Sequence, residues 1–216
     1  MSNEKHKIDP AKANQAMRKI KQQHIDIFTF AKSVQNDGID KLYKAWTTPV
    51  GKKEVAKLKE GLNSCMSGGK SEDTVNKVYI WLMVKLNTMI TGYCSAEGLS
   101  YRSVSPEDYP YPFKEVESGS DNLFHAENIQ NSLIKISKLY NNIEKNMNDT
   151  INILTSGSFG LEGTEIIDVA NTLKAKMNKV LKRVQSKIDA CVTEVEKQSD
   201  SVATAVRKAR KTAKSN

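Results

Sequence analysis

Histidine and cysteine are the side chains best suited to nucleophilic or metal chemistry, and this chain has only three of each: His6, His24, His125, Cys65, Cys94 and Cys191. No pair of them has the spacing of metal ligands. No histidine or basic residue is adjacent in sequence to a cysteine to activate its thiol. The sequence therefore predicts no catalytic residue, no metal site and no cofactor, and a protein that is not an enzyme.

One short stretch imitates a phosphate-binding loop. Ser67-Gly68-Gly69-Lys70-Ser71 resembles the end of a Walker A motif. The first glycine of that motif would fall at Ser64, and the periodicity before it is that of a helix, whereas the motif follows a strand. We interpret the stretch as a glycine stop followed by a helix cap at Ser71, and nucleotide binding here is the weaker alternative.

Lysine and arginine supply the remaining chemistry, because they can neutralise phosphate groups. Three clusters stand out: Lys174, Lys176, Lys179, Lys182, Arg183 and Lys187; Arg207, Lys208, Arg210, Lys211 and Lys214; and Lys12, Arg18, Lys19 and Lys21. On helices that rise about 1.5 Å per residue, such charges can follow a phosphate backbone without reading bases. The alternative is the solvated charged face of a coiled coil.

Charge is unevenly distributed along the chain, whose net charge is +8. Residues 1–60 hold 13 basic against 7 acidic side chains, and residues 163–216 hold 12 against 6. Residues 61–162 hold 8 against 12. We expect the basic ends and the acidic middle to attract one another, within a chain or between chains, and the ends to meet an external polyanion.

Apolar residues recur at helical spacing through the first 91 residues. Asp9 and Pro10 begin a first helix that Asn36-Asp37-Gly38 ends. A short amphipathic piece follows, then a helix near Lys52–Met66, and then a helix that Ser71 caps and that continues through Ile90. This last helix is the candidate for the buried centre of the region.

Proline, glycine and tyrosine interrupt this pattern from Gly92 to Gly119, which predicts a long loop and a domain boundary. Beyond it we expect one helix from an Asp121 cap to Leu154 and a second from a Thr164 cap to Ala209, with thirteen apolar positions in register. Because the second helix is longer than the first, its basic end should project beyond their pairing.

The sequence thus predicts an all-α fold, with an N-terminal helical bundle (residues 1–91), a Pro/Tyr-rich linker loop (residues 92–120) and a long C-terminal α-hairpin or coiled coil with a basic tail (residues 121–216). Residues Met1–Pro10 lack the features of a signal peptide, and the longest apolar run, Val78–Val84, is too short to cross a bilayer. Three widely spaced cysteines suit a reducing compartment, so we expect a cytoplasmic protein, in the host cytoplasm if viral, with the nucleus as the alternative.

Two classes of function are compatible with these features. The first is a self-assembling nucleic-acid-binding protein, similar to a viral nucleoprotein or coat protein, that binds RNA without sequence specificity and forms homo-oligomers through its long helices. The second is a helical adaptor or peripheral membrane protein whose basic tail meets an anionic membrane surface. We favour the first class because positive charge is spread over two helices, without the aromatic anchors of a membrane-binding patch.

Overall fold

The structure is a computed structural model that describes residues 8–68, 73–117, 121–157 and 164–214. Over these residues the chain forms α-helices joined by irregular segments, with no strand longer than one isolated bridge. The predicted all-α class is therefore confirmed. No helix in this part of the chain is long and apolar enough to cross a membrane.

Helix α1, Pro10–Val34, begins as predicted. The carboxylate of Asp9 accepts hydrogen bonds from the backbone N–H groups of Ala11 and Lys12, at 3.0 and 3.1 Å. Pro10 occupies the first helical position, where its missing N–H costs nothing. The apolar side of α1, which includes Met17, is fully buried.

The predicted stop at Asn36-Asp37-Gly38 is wrong. The chain continues through a π-helical turn, Gln35–Ile39, directly into α2, Asp40–Ala45. Gly38 does not end the helix; it lets another helix approach closely, because a Cβ atom at this position would stand 2.7 Å from Cγ1 of Ile136. Glycine thus fits here because of packing, which spacing along the sequence does not reveal.

Two further helices complete the first half of the chain. The hydroxyl of Thr48 accepts a hydrogen bond from the backbone N–H of Gly51 and caps α3, Pro49–Met66. The hydroxyl of Thr74 does the same for Lys77 at the start of α4, Val75–Ala96. Ser71, the predicted cap, lies outside the described residues. The buried ring of Tyr79 lies on α4, which is the predicted central helix.

The irregular segment starts later than predicted, because residues 92–96 still belong to α4. Between residues 99 and 117 the chain has no regular secondary structure and packs on the helices. Asn63 binds both the carbonyl oxygen and the N–H group of Phe113, at 2.7 and 3.0 Å, and Asn87 donates to the carbonyl of Val104 at 2.8 Å. Phe113 is only 3% exposed, so this segment contributes to the core.

The two longest helices, α5 (Ala126–Thr155) and α6 (Thr164–Glu196), pack against each other as the predicted hairpin requires. The expected Asp121 cap is wrong, because α5 begins at Ala126. Before it, the backbone N–H of His125 donates to the carbonyl of Ala45 at 2.8 Å, and the carbonyl of Leu123 accepts from Thr47 at 2.9 Å. These bonds hold residues 123–125 extended against the end of α2.

The prediction of one continuous helix from Thr164 to Ala209 is also wrong. The chain breaks after Glu196 and turns into α7, Asp200–Lys214, which packs on both α5 and α6. Val202 is 2% exposed, and Ala203 and Val206 are fully buried. The apolar stripe of this segment therefore folds back onto the bundle and does not project beyond it.

Helix α5 connects the two halves of the chain. It contacts α1, the π-helical turn and α2 on one side, and α6 and α7 on the other. The buried apolar residues of both halves form one cluster. The segments predicted from sequence as an N-terminal bundle and a C-terminal hairpin thus share a single core.

Candidate nucleic-acid interface

The basic cluster of α6 divides into two groups in the structure. Lys176 and Lys179 place their Nζ atoms 3.1 and 3.5 Å from the carboxylate of Asp73, and the guanidinium of Arg183 donates to the carbonyl oxygen of the same residue. Asp73 lies just before α4. These three side chains therefore connect α6 to the start of α4.

The environment of Asp73 keeps its carboxylate ionised. Burial works to raise its pKa, but the hydrogen bonds and charges of Lys176 and Lys179 outweigh that effect, and the pKa is lowered. The side chain of Lys179 nevertheless remains 70% exposed. It can reach a second anion while it stays close to Asp73.

The second group on α6 points into solvent. Lys174, Lys182 and Lys187 are exposed, and they form no ion pair with any described residue. The stem of Lys187 lies over α3, since a Cβ atom on Gly61 would meet its Cδ at 2.7 Å. Lys174 and Lys182 are thus the cations of this helix with the least competition from the chain itself.

Helix α4 adds an aromatic ring and two lysines that lie outside the basic clusters predicted from sequence. Nζ of Lys176 lies 5.6 Å from the ring centroid of Trp81, which is only partly buried. Lys77 and Lys85 lie four residues before and after Trp81, on the same side of α4, and both are exposed. Lys77, Trp81 and Lys85 on α4, with Lys176 and Lys179 on α6, are called the α4–α6 face below.

The spacing of Lys77, Trp81 and Lys85 was visible in the sequence. It is easily missed, because the sequence predicts α4 as the buried centre of its region. Two lysines that lie four residues before and after a tryptophan share one side of a helix with it. The lysines can bind phosphates there while a base stacks on the ring. Acidic residues limit the face at one end, where Glu165 and Asp168 line a shallow pocket of about 240 Å³ with Trp81 and Lys85.

The basic residues of α1 make local contacts. Nε of Arg18 donates to the side chain of Asn14 at 2.9 Å, and Lys21 pairs with Glu107 at 2.5 Å. Lys12 and Lys19 are exposed. Contacts between α1 and α4 and between α4 and α6 place α4 next to both basic helices.

The basic residues of α7 are engaged as far as the structure describes them. Nη2 of Arg207 donates to Oε2 of Glu196 at 2.6 Å, and a second contact joins Nη1 to Oε1. Lys208 is exposed and has a partner of its own. Arg210, Lys211 and Lys214 belong to the helical backbone of α7, but their side chains lie outside the described residues.

The ion pairs show how the uneven charge is used within the chain. Lys21–Glu107, Lys59–Glu115, Lys176–Asp73 and Lys179–Asp73 each join a basic end to the acidic middle. The attraction expected between these regions thus operates within one chain. The cations that remain unpaired, such as Lys174 and Lys182, are the ones available to an external anion.

The cysteines and His24 show no geometry for chemistry. All three cysteines are buried and unpaired, and burial raises the pKa of Cys191 to about 12 and also raises that of Cys65. His24 is 1% exposed among the rings of Phe28, Tyr79 and Tyr109. Among the described residues no group of three histidine, cysteine or acidic side chains could hold a metal ion.

Comparisons with known proteins found no relative of this chain. The chain matches no protein-family model, and neither the curated proteins nor the solved structures contain a significant match.

Proposed function

We propose that this protein binds nucleic acid, RNA in the first instance, through non-specific contacts to the phosphate backbone and without an enzymatic step. The observation that carries the proposal is the α4–α6 face, where two packed helices present four lysines and a partly exposed tryptophan, one of the lysines directly against its ring. Lys174 and Lys182 add two more exposed cations on α6. Backbone binding of this kind depends on cations and a stacking platform, both of which the face provides.

The proposal also includes the contacts predicted for α1, at Arg18, Lys19 and Lys21, and for the α7 cluster. Fewer observations support these contacts. Lys21 and Arg207 already have acidic partners within the chain, so their charge is partly neutralised. Arg183 donates to a backbone carbonyl oxygen, which has no net charge, so this contact does not neutralise its guanidinium. We therefore rank Lys174 and Lys182 first as phosphate contacts. Lys179 comes after them, because it pairs with Asp73 although 70% of its side chain is exposed.

Self-assembly remains part of the proposal, in a changed form. The apolar stripes of α5 and α6 are buried within one chain, for example at Ile136 and Val184, and are not available to pair with another copy. Homo-oligomers would therefore form through exposed surfaces as copies line up on a polyanion. A cytoplasmic location also remains proposed, supported by three buried, unpaired thiols.

The test is RNA binding measured by fluorescence anisotropy with a labelled single-stranded RNA over a range of salt concentrations. We expect the double variant K174Q/K182Q to bind more weakly at low salt. Its slope of log affinity against log salt should be smaller by up to ~1.4, because about 0.7 is lost per phosphate contact on a single strand. RNAs of different sequence should respond alike.

The matched control is K138Q/K145Q, which removes two exposed lysines of α5 that form no ion pair with a described residue. Equal affinity and slope in K174Q/K182Q and the parent would remove these two lysines from the interface. The same result for K85Q/K179Q, which removes two exposed lysines of the α4–α6 face, would contradict binding through that face. Failure of the parent to bind RNA, together with binding to anionic vesicles, would replace the proposal by the membrane-associated adaptor. Mass photometry with and without RNA would show whether copies assemble.

A further inference from the structure

A second positively charged site lies between α2 and the start of α5. It is a cleft of about 780 Å³, called the α2–α5 cleft, and its polar lining includes Lys41, Lys44, His125, Asn128, Asn131 and Lys135. None of the residues of the α4–α6 face lines it. Whatever binds here is therefore recognised independently of the proposed RNA interface.

The charges of the cleft favour an anion. Its lining contains three lysines and one aspartate, Asp37, which leaves a formal charge of +2. Lys41 pairs with Asp37 at 3.0 Å, while Lys135 is fixed over the ring of Phe30, 5.1 Å from its centroid. Lys44 is exposed and pairs with no described acidic residue. Lys44 and Lys135 are thus the two cations that an anion in the cleft would meet.

The start of α5 adds uncharged donors. His125 is its N-cap residue, and its side chain makes no capping hydrogen bond to the first-turn N–H groups. The N-terminus of a 30-residue helix carries a partial positive charge and favours anions. One turn further, Ser132 is only 2% exposed, lines the cleft and forms no hydrogen bond with a described residue through its hydroxyl. This hydroxyl is therefore free to bond with a molecule in the cleft.

The volume of the cleft and the rest of its lining indicate which kind of molecule carries the anionic group. A volume of 780 Å³ is within the range of small-molecule sites, about 300–1,000 Å³, and far exceeds what a single phosphate group fills. The amides of Asn128 and Asn131 each present a donor and an acceptor, and Ala45 and Leu123 supply an apolar surface. A flat heterocycle with hydrogen-bonding edges matches this combination.

From these features we propose that the α2–α5 cleft binds a nucleoside monophosphate, with the phosphate at Lys44, Lys135 and the start of α5 and the base against Asn128, Asn131 and Leu123. The Ser132 hydroxyl donates to the phosphate or to the ribose. The site is a binding site, and no bond in the ligand is broken.

The test is isothermal titration calorimetry of the full chain at low salt with AMP, CMP, GMP and UMP, and with adenosine and inorganic phosphate for comparison. We expect at least one nucleotide to bind with one site per chain. Adenosine and phosphate should each bind at least ten times more weakly than that nucleotide, because each of them satisfies only half of the cleft. Failure of all four nucleotides to bind at millimolar concentration would overturn the proposal. Phosphate that binds as tightly as the nucleotide would do the same.

Variants locate the site. K44Q/K135Q should weaken nucleotide binding at least tenfold, and S132A should weaken it severalfold, whereas K145Q, ten residues further along α5, should bind like the parent. If K44Q/K135Q unfolds, K44Q alone replaces it, since Lys44 has no acidic partner to lose. Unchanged affinity in a folded K44Q would place any binding elsewhere. RNA binding should be retained in K44Q and nucleotide binding in K174Q/K182Q, so that either proposal can fail without the other.

Discussion

At the scale of single residues, His24 has the most unusual environment in the described chain. Its ring stacks on Tyr79 with 4.8 Å between centroids, and neither nitrogen makes a hydrogen bond of normal geometry. The side-chain amide of the nearby Asn76 bonds to Asp108 and Tyr109. Burial lowers the pKa of His24 to about 4, against an opposing effect of Glu107 and Asp108. The imidazole is therefore neutral in the folded protein at physiological pH.

This environment predicts a pH-dependent stability. Between the ordinary histidine pKa of 6.5 and the folded value of about 4, the unfolded chain binds more protons than the folded chain. Stability should therefore fall as the pH is lowered through this window, by about 3 kcal/mol in all, from about 1.4 kcal/mol per pKa unit. We expect H24F, which keeps a ring but cannot be protonated, to lose this part of the pH dependence.

Urea unfolding of the parent and of H24F at pH 7 and pH 4.5 measures the effect. Carboxylates also titrate in this range, but they do so in both proteins, so the difference between the two pH dependences isolates His24. An identical loss of stability in the parent and in H24F would show that His24 is protonated within the folded core.

At the scale of elements, the docking of α7 is the feature most open to experiment. Val206 is fully buried and Val202 nearly so, although the sequence suggested a stripe too thin to fold unaided. V206A removes two buried methyl groups, and at about 0.8 kcal/mol per carbon plus the cavity it should lower the free energy of unfolding by about 2 kcal/mol.

The control for this prediction is T204A, which changes an exposed residue of the same helix. Its free energy of unfolding should change by less than about 0.5 kcal/mol. If V206A proved as stable as T204A, α7 would not be docked on α5 and α6 in solution, and its basic residues would regain the role of an extended arm.

The turn between α6 and α7 has a physical reason in the same contacts. The backbone N–H groups of Gln198 and Ser199 donate to the carbonyl of Val195, at 2.9 and 2.8 Å, and close α6. The indole N–H of Trp46 donates to the side chain of Gln198 at 3.3 Å. A buried tryptophan from the first half of the chain thus fixes the point where the last helix reverses.

At the scale of the whole molecule, the shared core predicts a single unfolding transition. Both tryptophans, Trp46 and Trp81, lie in the first half of the chain, whereas far-UV circular dichroism reports on helices of both halves. Because α5 packs on helices of both halves, we expect urea to unfold the two signals with the same midpoint and slope. Fluorescence that changed at a clearly different urea concentration would support the separate N-terminal and C-terminal regions predicted from sequence.

Much of the fold could be predicted from the sequence because its causes are local. The cap at Asp9 and the helical apolar stripes depend on residues that lie within a few positions of each other. The basic clusters are also local in the sequence. The all-α class and the pairing of the two long helices follow from these stripes. The sequence also located the three basic clusters, although not which of their cations are paired within the chain.

Tertiary structure decided the features whose causes are distant in sequence. Gly38 looks like a helix stop until Ile136, almost a hundred residues away, is seen against it. The Lys176–Asp73 pair and the Trp81 contact depend on the packing of α6 on α4, and the α2–α5 cleft joins residues 37–45 to residues 123–135. Periodicity shows which face of a helix is buried, but not which partner buries it. For this reason the basic residues were visible in the sequence, and only the fold showed which of them are already paired.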